Sequence, residues 1–408
     1  MVRKILILLL VLQVNFLEAQ FLPMQYDTLI NSHELILSGG VDYYGSSMEK
    51  DLTSKFIKGG LITSEIKDKS LAKHGAINRL GGVGFSRFEY RNFNATPFKK
   101  KNWGYTIKAG YDAFAGLLYA KDFYGLALYG NESYIGETMD MSGTNLSMMT
   151  YQKVGFGLIN KKSKSNVSLN VYNISNRVHA DLREFEIRQD DAADTISFLL
   201  AGEFEVKNNN KFNQGIGFGV DLNIFLPIEW GKYKTAYIQV KAQNIGFAYM
   251  YEKQKVYSFD TSFVFAGLKL DELVGENSIL GDSLNILDSL GINSTEKTRT
   301  ILLPGYIQVG KVVTNLTDKK IQSFFGIRLY PTLIYTPFLY AGVNYRPKEW
   351  INIGANTSYG GFGKFKTGLY ASVNFSNYSI GLSTENLIGV FSKRGSGESL
   401  FIRLRWAI

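Results

Sequence analysis

Runs in which apolar and polar residues alternate follow one another along most of this chain. The last of them, "SLFIRLRWAI" at 399–408, has a large apolar residue at every second position and Arg403 and Arg405 between them. Successive side chains of a strand point to opposite sides, so this run has one apolar face and one cationic face. Similar runs lie at 166–172, 216–226, 351–359 and 364–375. The pattern predicts an all-β protein.

The length of the predicted strands favours a membrane barrel over a soluble sandwich. Strands of about ten residues exceed the usual five or six of soluble sheets and match the 9 to 11 that cross a bilayer at a tilt. A sandwich also turns polar residues outward, but the alternation here repeats along nearly the whole chain. We therefore predict one domain, 20–408, that forms a transmembrane antiparallel β-barrel. Because bacterial barrels use even strand numbers, we predict about 14 strands, with 16 as the alternative.

All four tryptophans fall near the ends of predicted strands. Transmembrane barrels carry girdles of aromatic side chains at both membrane interfaces. We therefore predict that the tryptophans form these girdles; they are Trp103, Trp230, Trp350 and Trp406.

In a barrel, the polar face of each strand would line the lumen. The clearest candidates for lumen-facing charges are Glu203, Glu205, Asp221, Lys241, Lys364, Lys366, Arg403 and Arg405. Their mixed signs favour luminal salt bridges that hold a plug over a substrate-selective pore.

Three segments break the alternation. One of them, 110–131, is apolar without clean alternation and predicts either a short helix and turn packed inside or an irregular strand pair. In 46–79, Ser46 and Glu49 have the spacing of a capping box, and the glycine pair at 59–60 would end the first helix. This segment is too polar to face lipid, so we predict a helical hatch that lies in the lumen or at its mouth and partly plugs the barrel. Leucines at helical spacing in 268–297 predict a structured external loop.

The amino-terminal segment and the composition indicate export. Residues 1–19 combine two basic residues, an apolar run and a small residue before the predicted cut between Ala19 and Gln20, as in a secretory signal peptide. The chain has no cysteine, which excludes disulfides and a lipid-modified amino terminus. Its net charge of +9 is dispersed, and the longest basic run, Lys99–Lys101, is typical of a solvated loop. We therefore expect no nucleic-acid partner.

Nothing in the sequence favours an enzyme. The three histidines, His33, His74 and His179, lie far apart, and no HExxH or comparable metal spacing occurs. Glycines at 215, 217 and 219 alternate with bulky residues inside a predicted strand and do not form a phosphate loop. We predict no catalytic, cofactor or metal site.

Short Asp-Ser-aliphatic triplets resemble the O-glycosylation signal of exported Bacteroidota proteins. Two of them lie in the predicted external loop, which makes Ser283 and Ser289 the candidate modification sites.

Several stretches together resemble a family of Bacteroidota outer-membrane barrels of unknown function. They are the "EAQ" at the predicted cut, "FIKGGLITSEIKDKSL" with "NRLGGVGFSRFEYR", "DFYGLALYGNESYIG", and the closing "LSTENLIGVFSKRGSGESLFIRLRW". Members of this family look like distant relatives of FadL-type barrels, including PorV of type IX secretion, and are compared with the PorP/SprF group. The resemblance covers nearly the whole chain after the signal segment and implies an outer-membrane location.

The resemblance leaves two functions open. A FadL-type barrel would bind or pass a hydrophobic small molecule through the hatch at 46–79. Alternatively, the barrel is a non-conducting scaffold or accessory subunit of an envelope complex, such as type IX secretion or gliding. A continuous, greasy lumen would favour the first function. A lumen filled by the hatch and bridged by Arg403, Arg405 and acidic residues would favour the second.

Overall fold

The computed structural model describes residues 31–131, 134–192, 195–229, 235–265, 294–392 and 395–408. Within them, seventeen strand segments form one antiparallel sheet, and its first strand pairs with its last from Glu34–Ala407 to Tyr44–Gly397. The sheet therefore closes on itself as a barrel and leaves no free edge between its first and last strands.

The strand segments follow one another along the chain. They are β1 His33–Gly45, β2 Ile77–Asn92, β3 Trp103–Ala120, β4 Thr138–Asp140, β5 Thr144–Asn160, β6 Asn166–Gln189, β7 Ile196–Lys207, β8 Gly215–Glu229, β9 Thr235–Phe265, β10 Ser294–Leu302, β11 Tyr306–Val312, β12 Ile321–Leu329, β13 Thr336–Lys348, β14 Ile351–Gly361, β15 Phe365–Asn374, β16 Tyr378–Thr384 and β17 Gly397–Ala407. The α-helices are α1 Lys50–Lys58, α2 Ser64–Leu71, α3 Lys121–Tyr129 and α4 Leu387–Phe391, and a 3-10 turn spans Pro97–Lys99. No helix among the described residues is long and apolar enough to cross a membrane.

Three positions of the barrel wall are each built from two segments. β4 and β5 both pair with β6, and β7 and β8 both lie between β6 and β9. Likewise, β10 and β11 both pair with β9. The seventeen segments therefore occupy fourteen positions, which confirms the predicted 14-strand barrel.

The two ends of the barrel differ. At one end, here called the terminal end, His33 and Ile408 exchange backbone hydrogen bonds of 2.9 Å, and the connection between β13 and β14 is only two residues long. The opposite end, the loop end, carries α1 to α4. β6, with 24 residues, and β9, with 31, are much longer than β14, with 11, so the wall extends farther on their side.

The alternation in the sequence becomes an apolar outside and an inside that holds the polar side chains together with some aromatic ones. In β17, Leu400 and Trp406 are 55% and 53% exposed, while Ser399 and Phe401 are buried. Large exposed apolar side chains lie around the whole wall; examples are Leu37, Val154, Leu169, Phe218, Val309, Leu339, Ile353 and Leu369. The last strand thus turns its apolar face outward and its arginines inside.

The predicted helices in 46–79 are present, but they do not fill the lumen. Leu52 of α1 and Ile66 of α2 pack with Leu80, Leu117 and Tyr119. Leu80, Leu117 and Tyr119 lie on the same face of β2 and β3 as the exposed, outward-pointing residues of these strands. The helices therefore cover the outer side of the rim. The predicted hatch therefore lies at the mouth, and the prediction that it plugs the lumen is wrong for the described residues.

The predicted capping box is also wrong. Ser46 Oγ accepts a 2.9 Å hydrogen bond from Arg79 N, because the chain leaving β1 still pairs with β2 at this point. Glu49 is itself the residue before α1, and its side chain pairs with Lys73 at 2.6 Å. The end of α1 is as predicted, since Gly59 has a φ of 78° that glycine adopts without strain.

The three described tryptophans do not divide between two girdles. Trp103, Trp350 and Trp406 all lie beside turns or chain ends at the terminal end of the barrel, and the latter two are exposed. Trp230 lies outside the described residues. The described tryptophans therefore mark one end of the barrel, which corrects the expectation of two interfaces.

Closure by β17 should be required for the compact barrel. Deletion of residues 397–408 leaves β1 and β16 with unpaired edges, so we expect the unboiled protein to migrate on a gel like the boiled one. Ile408→Ala is the control, because it keeps the backbone bonds to His33 and should retain the faster band of a folded barrel. A heat-modifiable band from the deletion variant would show that the barrel closes without β17.

Candidate functional site

An aromatic plug closes the loop-end half of the lumen. The connection between β12 and β13 turns inward, so that Ile334 and Tyr335 are buried, and Tyr335 meets Phe362 edge-on at 5.0 Å. The remaining members of the cluster come from the surrounding wall. They are Tyr44, Phe114, Val313, Phe324, Phe338, Tyr340 and Tyr370. The lumen is thus filled at this level by side chains of the wall and its turns.

Two glycines of the opposite wall make room for the plug. Gly81 of β2 and Gly116 of β3 are paired in register. A Cβ atom on Gly116 would lie 2.6 Å from Ile334 Cγ2, and one on Gly81 would collide with the Phe362 ring. The plug therefore spans the lumen and rests directly on the backbone of β2 and β3.

At the terminal end of the lumen, Glu34 gathers three cations. It is 1% exposed, and its carboxylate accepts hydrogen bonds from Arg405 at 2.7 Å and from Arg91 and Lys164 at 3.3 Å each. Arg91 also reaches Glu89 through its Nε at 2.9 Å. These residues come from strands on both sides of the β1–β17 seam, so the network ties the closure of the barrel together.

A second charge network crosses the middle of the lumen. Lys153 is 2% exposed and donates to Asn244 at 2.7 Å and to Asp221 at 3.3 Å. Lys108 Nζ lies 3.7 Å from the same carboxylate. Arg87 pairs with Asp112. Buried charges of this kind are tolerated because each is paired or hydrogen-bonded.

The predicted lumen-facing charges occupy three kinds of place. Lys366 is buried beside Asp42 at 3.0 Å, and Asp221, Lys241, Arg403 and Arg405 also lie inside.

The remaining three lie elsewhere. Glu203 and Glu205 lie on the extended part of the wall, where Arg299 donates to Glu203 at 2.7 Å and Arg177 pairs with Glu205. Lys364 is exposed in the turn between β14 and β15, so its assignment to the lumen is wrong.

Between these networks lies a cavity of about 90 Å³. Residues from many strands line it, including Arg87, Lys241 and Arg403 on the charged side and Gln308 and the plug residue Tyr340 on the other. Arg328, 1% exposed, joins the cavity to the plug because it donates to Gln308 at 2.6 Å and lies over the ring of Phe338 at 5.8 Å.

An apolar groove of about 670 Å³ lies on the outer side of β1, β2, β3 and β5 at the loop end. Its floor lies close to the backbone of β2 and β3 because Gly82, Gly84, Ala113 and Ala115 are small. Large apolar side chains roof it; Phe123, Tyr124 and Leu128 come from α3, and Met48 comes from the segment before α1. We call this site the roofed groove.

His74 fixes the helical roof to the wall. The Ser70 carbonyl lies 2.7 Å from its Nδ1, and the Tyr119 hydroxyl lies 3.0 Å from its Nε2. Because a carbonyl can only accept, Nδ1 carries the proton and neutral Nε2 accepts from Tyr119. Burial lowers the pKa of His74 below its ordinary value of 6.5. The hydrogen bond to Ser70 acts in the opposite direction, and the positive charge of Lys121 lowers the pKa further.

Several predictions fall outside what the structure describes. Segment 1–19, Ser283, Ser289 and most of the predicted loop at 268–297 lie outside the described residues, although the last part of that loop, from Ser294, belongs to β10. Among the described residues, no group of three or more metal-binding side chains occurs.

Sequence reasoning missed both the plug and the roofed groove. The inward connection of β12 and β13 contains no helical or repeated pattern. The one available signal was the concentration of small residues at 81–84 and 113–116, where alternating strands normally carry bulky ones.

This chain is weakly similar to several solved structures. No protein-family model and no curated protein matches it. The TodX deltaS2S3 mutant, a monoaromatic hydrocarbon channel, has a TM-score of 0.38 at 9% identity over 92% of this chain and 89% of that one. The P. putida toluene transporter TodX has a TM-score of 0.34 and 9% sequence identity, over 91% of this chain and 87% of that one. The translocator domain of the autotransporter NalP from Neisseria meningitidis has a TM-score of 0.29 and 9% sequence identity, over 94% of this chain and 91% of that one.

Neutralising Glu34 should weaken the barrel seam. Glu34→Gln leaves three buried cations without their shared carboxylate, and loss of one partner of a buried pair costs about 3–5 kcal/mol. We expect the midpoint of heat-induced gel mobility change to fall. Glu65→Gln is the control, because Glu65 pairs with Lys69 on the surface and its loss should leave the midpoint unchanged. Equal midpoints for both variants would contradict the role of Glu34.

Acid should loosen the helical roof. Since the folded pKa of His74 is lowered, its stabilising contribution is complete above pH 6.5 and declines as the pH falls below that value, where the open form binds the proton first. We expect amide exchange of residues 64–76, corrected for intrinsic rate, to rise several-fold from pH 7.5 to pH 5.5. His74→Gln should abolish this response and His33→Gln should keep it. A pH response that survives in His74→Gln would assign it to another group.

Proposed function

We propose that this protein is an outer-membrane β-barrel that binds a hydrophobic small molecule in the roofed groove. The observation that carries the proposal is the groove itself, which offers about 670 Å³ of apolar space between helices and wall. Volumes of several hundred Å³ with a mostly apolar lining are typical of sites for small organic ligands.

The outer surface supports the membrane location. Exposed leucine, isoleucine, valine and phenylalanine surround the wall, and burying them in lipid removes an apolar surface that water would disfavour. Exposed Trp350 and Trp406 at the terminal end fit an interfacial position. The resemblance to Bacteroidota outer-membrane barrels and the signal-like segment 1–19 point to the same location.

The filled lumen favours binding of a ligand outside it over conduction of a molecule through the barrel. The aromatic plug and the networks around Glu34 and Asp221 occupy it from the loop end to the terminal end. A hydrophobic molecule would meet buried charges inside, whereas the roofed groove offers apolar walls next to lipid. We therefore place the ligand on the outer side of β2 and β3, and we propose no enzymatic step.

Photolabelling can locate such a ligand. With a small aryl diazirine and the full-length protein in lipid nanodiscs, we expect labelling to concentrate on peptides containing Leu117, Phe123 and Leu128. Ala115→Leu fills the floor of the groove and should reduce this labelling several-fold.

Ala341→Leu is the matched control for this experiment. Ala341 lines an apolar depression of about 630 Å³ on the outer wall that has no helical roof. Filling it should leave labelling of the roofed groove unchanged. Equal labelling of both depressions, or no effect of Ala115→Leu, would show general partitioning into the lipid around the barrel.

A second function is favoured by the extended wall. Strands β6, β7, β9 and β10 continue beyond the shorter strands and carry their own apolar cluster around Tyr257 and Phe259. Together with the filled lumen, this wall suits a non-conducting scaffold in an envelope complex. Mild-detergent purification should recover a stoichiometric partner in that case, and shortening the wall at residues 183–201 should release that partner.

A further inference from the structure

The cavity inside the lumen carries a large excess of positive charge. Six cationic side chains of inward-facing positions line it, namely Arg87, Arg91, Lys108, Lys153, Lys241 and Arg403. The carboxylates among its described lining residues are two, Glu89 and Asp221.

Carboxylates behind the lining do not balance this excess. Asp112 pairs with Arg87, which leaves Asp221 to serve both Lys153 and Lys108. Glu34 lies behind Arg91 and pairs with it, but Glu34 also pairs with two further cations, Lys164 and Arg405. Counting these neighbours, eight cations face four carboxylates among the described residues, so the region around the cavity remains strongly positive.

Such an excess is costly in an enclosed site. Arg87, Arg91 and Lys153 are each at most 8% exposed, and several like charges repel one another when water cannot screen them. An anion in the cavity would relieve this repulsion and bring hydrogen-bond acceptors to arginine and lysine donors. The neighbouring amides of Gln239, Gln243 and Gln308 add neutral polar groups to the same lining.

We propose that this cavity is a binding site for a small oxyanion of the phosphate class. Clustered arginine and lysine side chains favour phosphate because several charge-assisted hydrogen bonds can converge on one group. A volume of about 90 Å³ exceeds what a single water needs but is far below that of a site for a drug-sized ligand. The inference concerns the barrel interior alone and does not depend on what the roofed groove binds.

Phosphate should stabilise the protein specifically. In dodecyl maltoside, which contains no phosphate, we expect inorganic phosphate to raise the midpoint of the heat-induced mobility change in a saturable way. Chloride at the same ionic strength is the control and should have no comparable effect. An equal shift with both anions would overturn the proposal, because it would reflect ionic strength or nonspecific screening.

Two lining variants test the position of the site. Lys241→Gln and Arg403→Gln each remove one cation from the cavity and should weaken phosphate binding about tenfold in calorimetric titration. Lys364→Gln is the matched control, since Lys364 is exposed in a turn outside the lumen, and it should bind as the unchanged protein does. Undiminished binding in both lining variants, with heat-modifiable migration intact, would exclude this cavity as the site.

The source of the phosphate group can be separated in the same experiment. Dihexanoyl phosphatidic acid carries the group on a short-chain lipid, whereas inorganic phosphate carries it free. Tighter binding of the lipid that is lost in Lys241→Gln identifies a lipid headgroup in this cavity. Binding of inorganic phosphate alone identifies a free anion. If the unchanged protein binds neither the lipid nor inorganic phosphate, the proposal is overturned. This outcome does not depend on whether the lining variants fold.

Discussion

Closure of the hydrogen-bonded wall is the constraint on which the rest of the structure depends. Once β1 pairs with β17, alternate side chains of every strand must point into one shared interior. That interior is too narrow to leave its charges in bulk water, so each charge needs a partner on a neighbouring or opposite strand. Glu34 illustrates this, because its three cations come from β2, β17 and the turn before β6.

The repeating part of the structure could be predicted from the sequence for a simple physical reason. A strand that faces lipid on one side and a polar interior on the other must alternate apolar and polar side chains. The orientation of Leu400 and Arg403 can therefore be predicted without knowing which strands lie beside them. The strand count followed from the same repeat. The end of α1 followed from Gly59, whose backbone conformation is a local property. Each of these features depends on a residue and its immediate surroundings.

Features that depend on distant contacts could not be predicted in this way. Whether the segment at 46–79 enters the lumen depends on what already fills the lumen, and Ile334, Tyr335 and Phe362 fill it. Lys364 and Lys366 have the same sequence pattern, yet only Lys366 finds a carboxylate, at Asp42, because β15 begins between them. The capping pair of Ser46 and Glu49 failed because Arg79, far away in sequence, competes for the same hydroxyl.

The short stretch of wall at 81–84 and 113–116 connects the two main sites of the molecule. Gly81 and Gly116 face inward and let the plug rest on the backbone, while Gly82 and Ala115 face outward and form the floor of the roofed groove. No large side chain therefore separates plug from groove at this point. The small residues that the alternation pattern could not explain have a structural reason on both faces, since bulk on either face would expel what packs there. The plug and the groove are consequently two surfaces of one thin part of the barrel, and a ligand in the groove would lie directly behind the plug.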